Sequence, residues 1–257
     1  MELQALIDAA NSGNIEASLT LGHMYEKGDG VERSLTEALR YYEKAAYNDN
    51  EEGAYHAALI HKMSLENKPE NPLFSTMMLS YGANVGSARC HGLLAEHYIN
   101  GYGTKQSYVL ALKSAKIAAE AGDLYGQYVL GLLTLTGKAT EQDENRGLAL
   151  MKTSAYAGLT EAKYALGICY EFGIGTEKAL FMAQDWYLQA KNEGHVGAHY
   201  RVSRFSRDEE AVDKVDLPVF FQSFVENDGP LTEEDMAKLN RPKKVFSSFD
   251  EWFDSFE

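Results

Sequence analysis

Small and apolar residues recur along the chain at helical spacing. Between Ala17 and Tyr25 they fall at i, i+4, i+5 and i+8, which places them on one face of a helix. Gly28 and Gly30 follow this stretch, and glycine readily takes the positive φ that closes a helix C-terminus. A second helical stretch runs over residues 38–45. The pattern therefore predicts a pair of helices joined by a glycine-containing turn.

The same pattern repeats about every 36 residues. One column, which precedes the first helix of each repeat, holds Gly13, Asp49, Gly86, Gly122, Gly158 and Gly194. Four residues later, small residues form a second column: Ala17, Gly53, Cys90, Gly126, Ala162 and Ala198. A third small-residue column lies on the second helix: Ala9, Ala45, Gly82, Ala118, Ser154 and Ala190. Because no single helix pair can bury its own apolar face, such repeats must stack on their neighbours.

The phase of these columns divides the chain into two predicted domains. Residues 1–205 hold five full repeats, with residues 1–10 aligned to a second helix and residues 195–205 to a first helix. The second repeat departs furthest from the pattern, and we place its Pro69 and Pro72 in the loop between its helices. The phase is lost after Phe205, so residues 206–257 are predicted to form a separate C-terminal extension.

The first repeat resembles a known family. Its pattern Ala-x₃-Leu-Gly-x₂-Tyr-x₂-Gly-x-Gly-Val, followed by Ala-Leu-x-Tyr-Tyr-x-Lys-Ala-Ala, is similar to the Sel1-like repeat, a longer relative of the tetratricopeptide repeat. The resemblance covers about residues 1–205. It implies an all-α fold, a right-handed α-solenoid superhelix of about five 36-residue helix-turn-helix repeats with half-repeats at both ends. It also implies an adaptor or scaffold that holds proteins in complexes, without naming a partner.

Charge and composition narrow the function classes. The chain of 257 residues has a formal net charge of −14, which argues against nucleic-acid binding because phosphate recognition needs a basic face. No run of apolar residues approaches the roughly 18 of a membrane span, and the N-terminus lacks the basic and apolar regions of a secretory signal. We therefore expect a cytoplasmic protein without membrane insertion. Delivery as a bacterial effector stays open as an alternative.

Complete catalytic and cofactor motifs are missing from the sequence. Some cysteine-rich relatives in the resembled family are linked to β-lactam binding and hydrolysis, a chemistry that uses a Ser-x-x-Lys nucleophile in established enzymes. This chain has no Ser-x-x-Lys string and only two cysteines, Cys90 and Cys169, of which we expect Cys90 to be a buried packing residue. We predict no enzyme activity and no cofactor.

The histidines do not match a metal motif. His195 and His199 have i, i+4 spacing, but no glutamate follows His195 as in a His-Glu-x-x-His pattern. The pairs His56/His61 and His91/His97 have poorer spacing. We therefore predict no metal site and interpret the histidines as surface or groove residues.

The resemblance locates a candidate peptide-binding face. In tetratricopeptide-like solenoids the first helix of each pair lines the concave surface, where the residue two positions after the small column points partly inward. The residues predicted to bind on this face are Tyr55, Tyr128, Tyr164 and Tyr200, together with His23. Tyrosines give wide amphipathic contacts at low entropic cost. The alternative is that tyrosine at this position packs between repeats.

The C-terminal extension combines strong charge with aromatic residues. Residues 207–257 contain 14 acidic and 6 basic residues, but also seven of the eleven phenylalanines. Ser248 and Glu251 form a capping box that opens a helically spaced set: Phe249, Trp252, Phe253 and Phe256. This set has the form of an anchor peptide for a hydrophobic groove, on the chain's own solenoid or on a partner.

Taken together, these features predict a non-enzymatic adaptor that binds a protein or peptide through the concave face. Two alternatives remain open at the level of sequence. One is an enzyme or binder of β-lactam or cell-wall type, and the other is a bacterial effector or a toxin-neutralising immunity protein.

Overall fold

The structure, a computed structural model, describes residues 3–63 and 70–205, with side chains through residue 203. These residues form two compact units, divided between Gln106 and Ser107. All the regular elements in the described residues are α-helices. None of these helices has both the length and the apolar composition that crossing a membrane requires.

Among the described residues, the first unit has six helices, which pack as neighbours in chain order. Their bounds are α1 Leu3–Asn11, α2 Ile15–Lys27, α3 Leu35–Ala46, α4 Glu51–Lys62, α5 Pro72–Asn84 and α6 Ala88–Asn100. The part of the second unit that the structure describes, through residue 205, has six more, which likewise pack in chain order. Their bounds are α7 Tyr108–Glu120, α8 Leu124–Thr136, α9 Glu144–Tyr156, α10 Thr160–Phe172, α11 Leu180–Asn192 and α12 Val196–Phe205.

This element order confirms the predicted repeat. First helices α2, α4, α6, α8 and α10 each precede a second helix, while α1 and α12 supply the half-repeats at the two ends. One local prediction was wrong: Pro72 is the first residue of α5 and not part of the loop, with Asn71 as its N-cap. Proline suits this position because its missing N–H would have no partner in the helix and its φ is already helical.

The glycine-containing turns end the first helices as predicted. Gly28 lies in the left-handed region at φ +77°, and its N–H donates to the Met24 carbonyl at 2.8 Å. Further stops of this kind occur at Gly101, Gly137 and Gly173. The chain then turns into the second helix, which in the first repeat begins with the Ser34 side chain accepting a hydrogen bond from the Glu37 N–H. The glycine turns thus fix where α2, α6, α8 and α10 end, whereas α4 of the second repeat is followed by Met63 in extended backbone.

Small side chains set the spacing between successive helices. A Cβ atom built on Gly82 of α5 would lie 2.3 Å from the Cys90 Sγ on α6. A Cβ on Gly126 of α8 would lie equally close to the Ala118 Cβ on α7. The second and third small-residue columns therefore pack against each other, which explains why both columns hold small residues.

A buried tyrosine that packs over a glycine and donates to a glutamate is found in both units. In the first unit Tyr42 on α3 packs its ring over Gly22 and donates its hydroxyl hydrogen to Glu26 at 2.5 Å. In the second unit Tyr187 does the same over Gly167 and donates to Glu171 at 2.6 Å. Burial is the largest cause that raises the pKa of Tyr187, and the neighbouring Glu171 carboxylate adds to it. Both hydroxyls therefore stay protonated and tie a second helix to the end of the first helix before it.

Candidate functional site

The first unit brings two predicted binding residues into one cluster. His23 lies on α2 and Tyr55 on α4, and both are half-buried. Between them lies His56, whose ring packs edge-to-face against His23 at 5.2 Å and against Tyr55 at 5.6 Å between centroids. His56 therefore connects the two predicted residues, although the sequence analysis did not place it at the site.

Carboxylates surround these histidines. The His23 Nε2 lies 3.5 Å from a carboxylate oxygen of Glu52, and the His56 Nδ1 lies 3.7 Å from Glu26. The His56 ring also stacks on Tyr42 at a centroid distance of 4.8 Å. Burial is the largest cause that lowers the pKa of His56, and it outweighs the attraction of Glu26. His56 is therefore a neutral imidazole near pH 7, held in a defined orientation by its neighbours.

A cation extends the cluster onto the next first helix. The Arg89 guanidinium, on α6, lies over the Tyr55 ring at 4.6 Å from its centroid. Arginine and tyrosine are enriched in protein-binding surfaces because both combine an apolar face with hydrogen-bonding groups. The first helices α2, α4 and α6 thus present histidine, tyrosine and arginine side chains in succession. We call His23, Glu52, Tyr55, His56 and Arg89 the first-helix cluster.

In the second unit the predicted tyrosines have different environments. Tyr128 on α8 is half-buried, whereas Tyr200 on α12 is 49% exposed. Tyr164 on α10 is buried, with its ring stacked on His195 at 4.2 Å and tilted against Tyr187 at 5.6 Å between centroids. Tyr164 therefore packs between helices of its unit, while Tyr128 and Tyr200 keep surface that a partner can reach.

In the predicted pair His195 and His199, His195 has a structural role. The His195 Nδ1 accepts a hydrogen bond from the Ala198 N–H at 3.1 Å, which caps the start of α12. Its ring also covers Tyr164, and burial lowers the pKa of His195. His199 is exposed. The i, i+4 spacing therefore does not bring two free imidazoles together here.

Sequence reasoning missed residues that only meet across repeats. Glu52 and His56 are four residues apart on α4, but their neighbour His23 lies 29 residues before Glu52 on α2. The available signal was their position beside Gly53 of the second small-residue column, since Gly53 packs against Ala45 of the preceding repeat. A second missed feature is a set of exposed apolar side chains on α11 and at the start of α12: Leu180, Phe181, Leu188 and Val196.

The remaining predicted residues are the cysteines and the aromatic residues of the tail. Cys90 and Cys169 are buried, which confirms Cys90 as a packing residue, and burial raises the pKa of the Cys169 thiol to about 12. A thiol with such a pKa is a poor nucleophile. The predicted tail motif, comprising Phe249, Trp252, Phe253 and Phe256, lies outside the described residues.

Comparisons with known proteins agree with the repeat pattern. The chain is 27% identical over 185 residues to chitin synthase regulator SKT5 of Malassezia restricta, covering 69% of this chain and 13% of that protein. It is 34% identical over 92 residues to DAP3-binding cell death enhancer 1 of Mus musculus, covering 36% of this chain and 18% of that protein. The chain thus spans less than a fifth of the length of either relative.

A solved structure and a family model define the fold and its family. The crystal structure of a Sel1 repeat protein from Oxalobacter formigenes superposes with a TM-score of 0.63 at 24% identity, covering 85% of this chain and 86% of that one. This likeness confirms the α-solenoid fold class. The Sel1 repeat model matches residues 15–50, 88–123, 124–159 and 160–195, leaving out the divergent second repeat. Because the matched repeats make up more than half of the chain, the protein belongs to the Sel1 repeat family.

Proposed function

We propose that this protein is a non-enzymatic adaptor that binds a protein or peptide partner through side chains on its first helices. Sel1 repeat proteins are typically scaffolds for protein interactions, which gives the general class. The observation that carries the proposal is the first-helix cluster, in which half-buried Tyr55 lies between the His56 ring and the Arg89 guanidinium. Preorganised tyrosine and arginine side chains are typical hot spots of protein interfaces.

The names of the relatives are consistent with this class. One is named as a regulator of chitin synthase and the other as a DAP3-binding protein, so both names describe action on another protein. We propose that this chain likewise acts through a macromolecular partner. In the second unit, Tyr128 and the exposed Tyr200 are the side chains that we assign to the same role.

The C-terminal extension belongs to the same proposal. Phe249, Trp252, Phe253 and Phe256 form an apolar set at helical spacing, which suits an anchor for a hydrophobic surface. The exposed Phe181 and Leu188 on α11 provide apolar surface on the chain itself. We propose that the extension either docks on such surface or contacts the partner directly.

Quantitative affinity purification from the source cells tests the adaptor function. The bait is the full chain, as wild type and as the double variant Tyr55→Ala/Tyr128→Ala. We expect the variant to lose most of a specific partner, because truncating one hot-spot residue costs at least about 2 kcal/mol, or more than tenfold in affinity. A third bait that lacks residues 241–257 measures the contribution of the tail.

The matched control is Tyr156→Ala. Tyr156 is 73% exposed but lies on the second helix α9, so its loss removes a tyrosine from a different set of helices. Circular dichroism checks that each bait is folded. Equal recovery of every partner by wild type and by Tyr55→Ala/Tyr128→Ala would contradict the assignment of the binding face.

A further inference from the structure

The first-helix cluster contains a group of potential metal ligands. Within residues 3–63 and 70–205, His23, Glu52 and His56 are the one set of three such side chains whose ligand atoms converge, all within 4.8 Å of one another. His23 comes from α2, and Glu52 and His56 come from one face of α4 at i, i+4 spacing. Two helices of adjacent repeats thus supply the three donors.

The distances fit a small transition-metal ion. Zinc binds imidazole nitrogen and carboxylate oxygen at about 2.0–2.2 Å in tetrahedral geometry, which separates neighbouring ligand atoms by about 3.3 Å. The His23 Nε2 and the Glu52 oxygen are already 3.5 Å apart. The remaining donor, on His56, lies within 4.8 Å of both, so the donors need to approach by no more than about 1.5 Å to reach the separation of zinc ligands.

The surroundings of His56 resemble the outer shell of a metal site. Metal-binding histidines commonly direct their second ring nitrogen toward a carboxylate, which fixes the orientation of the ring. Here the His56 Nδ1 faces Glu26 at 3.7 Å, and Glu26 is itself held by the Tyr42 hydroxyl. Because the His56 Nδ1 faces Glu26, we assign the His56 Nε2 as the metal donor.

The local charge favours a divalent cation. Glu52 and Glu26 bring two negative charges to the cluster, while Arg89 is a nearby positive charge that opposes binding. The ligand side chains are 22–41% exposed, so an ion can enter from solvent. Two imidazoles and one carboxylate suit zinc better than magnesium or calcium, which prefer oxygen donors.

We propose that His23, Glu52 and His56 form a zinc-binding site that joins the first and second repeats. The ion takes three protein ligands, and water or a donor from a partner takes the fourth position. Because its ligands come from α2 and α4, the bound ion links the first helices of adjacent repeats. Binding to the folded state alone then raises the thermal unfolding temperature.

Isothermal titration of the purified full chain with Zn²⁺ tests this proposal without any partner protein. We expect saturable binding of one ion, and a tetrahedral visible spectrum when Co²⁺ replaces Zn²⁺. His23→Gln and Glu52→Gln should each weaken Zn²⁺ binding by more than about 100-fold, since loss of an outer-shell partner alone costs about 10–100-fold. Glu52→Gln changes a partly exposed side chain, so it remains informative if His23→Gln fails to fold.

His199→Gln is the matched control, because it removes an exposed histidine outside the cluster and should bind Zn²⁺ as wild type does. Mg²⁺ in place of Zn²⁺ should give no saturable binding. The proposal is overturned if wild type binds no Zn²⁺, or if Glu52→Gln and wild type bind it equally well. Because the titration contains no partner protein, a failure to bind Zn²⁺ would not contradict the adaptor function. Likewise, a failure to recover a partner in the affinity purification would not contradict Zn²⁺ binding.

Discussion

Ala179 is the N-cap of α11, and it lacks the capping side chain that the N-cap residues of other second helices have. Ser34, Ser107 and Asp143 each accept a hydrogen bond from a backbone N–H in the first turn of a second helix. Ala179 precedes α11 at φ −144° and ψ 87°, close to the −153° and 104° of Ser107, but its methyl group cannot accept a hydrogen bond. The backbone is thus arranged for a cap that the sequence does not provide.

Ala179→Ser should therefore stabilise the protein. The new hydroxyl can accept a first-turn N–H, and such caps contribute about 1 kcal/mol to the free energy of unfolding. Urea denaturation followed by circular dichroism measures this gain. The reciprocal control, Ser107→Ala, removes an existing cap in the same unit and should cost a similar amount. A decrease in stability for Ala179→Ser would show that the α11 start lacks space for the hydroxyl.

His97 is a buried neutral histidine in the first unit. Its side chain is 1% exposed, and its Nδ1 lies 2.8 Å from the Thr76 hydroxyl oxygen. Thr76 donates its hydroxyl hydrogen to the Tyr102 carbonyl, so it accepts the hydrogen bond from the His97 Nδ1–H. Burial, with a smaller contribution from the charge of Lys62, lowers the pKa of His97 to about 3.

This lowered pKa predicts a loss of stability in acid. Unfolded histidine titrates near pH 6.5, so between about pH 6.5 and pH 3 only the unfolded chain binds this proton. Stability is therefore complete above pH 6.5 and falls as the pH falls, by about 2 kcal/mol between pH 7 and pH 5 for this group. His97→Asn keeps an N–H donor for Thr76 but does not titrate.

Urea denaturation at pH 7 and at pH 5 separates the His97 contribution from that of other groups. The variant should be less stable at pH 7 because Asn fills less space, and the difference between variant and wild type should shrink by about 2 kcal/mol at pH 5. Parallel pH dependences for the two proteins would contradict this prediction, because they would mean that His97 takes up its proton as readily in the folded chain as in the unfolded chain.

At the scale of the elements, helix spacing depends on pairs of small residues. The columns meet as Ala45 with Gly53, and as Gly82 with Cys90. In each pair the glycine has no room for a methyl group, because a Cβ on Gly82 would lie 2.3 Å from the Cys90 Sγ and 3.2 Å from the Ala54 Cβ. The identity of one residue thus limits the size of its partner on the next helix.

Gly82→Ala should destabilise the protein although alanine is the better helix former. Alanine gains up to about 1 kcal/mol in helix propensity, but overpacking a core costs about 1–3 kcal/mol. In the double variant Gly82→Ala/Cys90→Ala the sulfur is gone, so most of this loss should be recovered. A cycle of urea denaturations on the four proteins measures the coupling. Additive effects would contradict direct contact between the two columns.

At the scale of the whole molecule, the repeat was predictable because its signals are local. Glycine at a helix end and small residues on one helix face act within a few residues of their own position. The backbone conformation is the same even where the sequence pattern breaks: Asp49 occupies the glycine column and also has a positive φ, of 59°. The start of α5 at Pro72 was missed because proline suits both a loop and a first helical turn.

The candidate site was only partly predictable, because its contacts join residues that are far apart in the chain. Tyr164 and Tyr200 occupy the same column of the repeat, yet one is buried under His195 and the other is half exposed. Their difference depends on which side chains the neighbouring segments supply, as His195 does for Tyr164. A column position therefore gives the helix face of a residue but not its exposure.

The sequence by itself determined the all-α class, the 36-residue repeat, the half-repeats at both ends and the family, since helix-forming and helix-ending signals repeat in phase along the chain. The tertiary structure alone decided which side chains meet between repeats. It brought His23 of α2 to Glu52 and His56 of α4, and placed Arg89 over Tyr55. Such contacts join residues that are far apart in the chain, and their distances depend on how tightly successive helices pack.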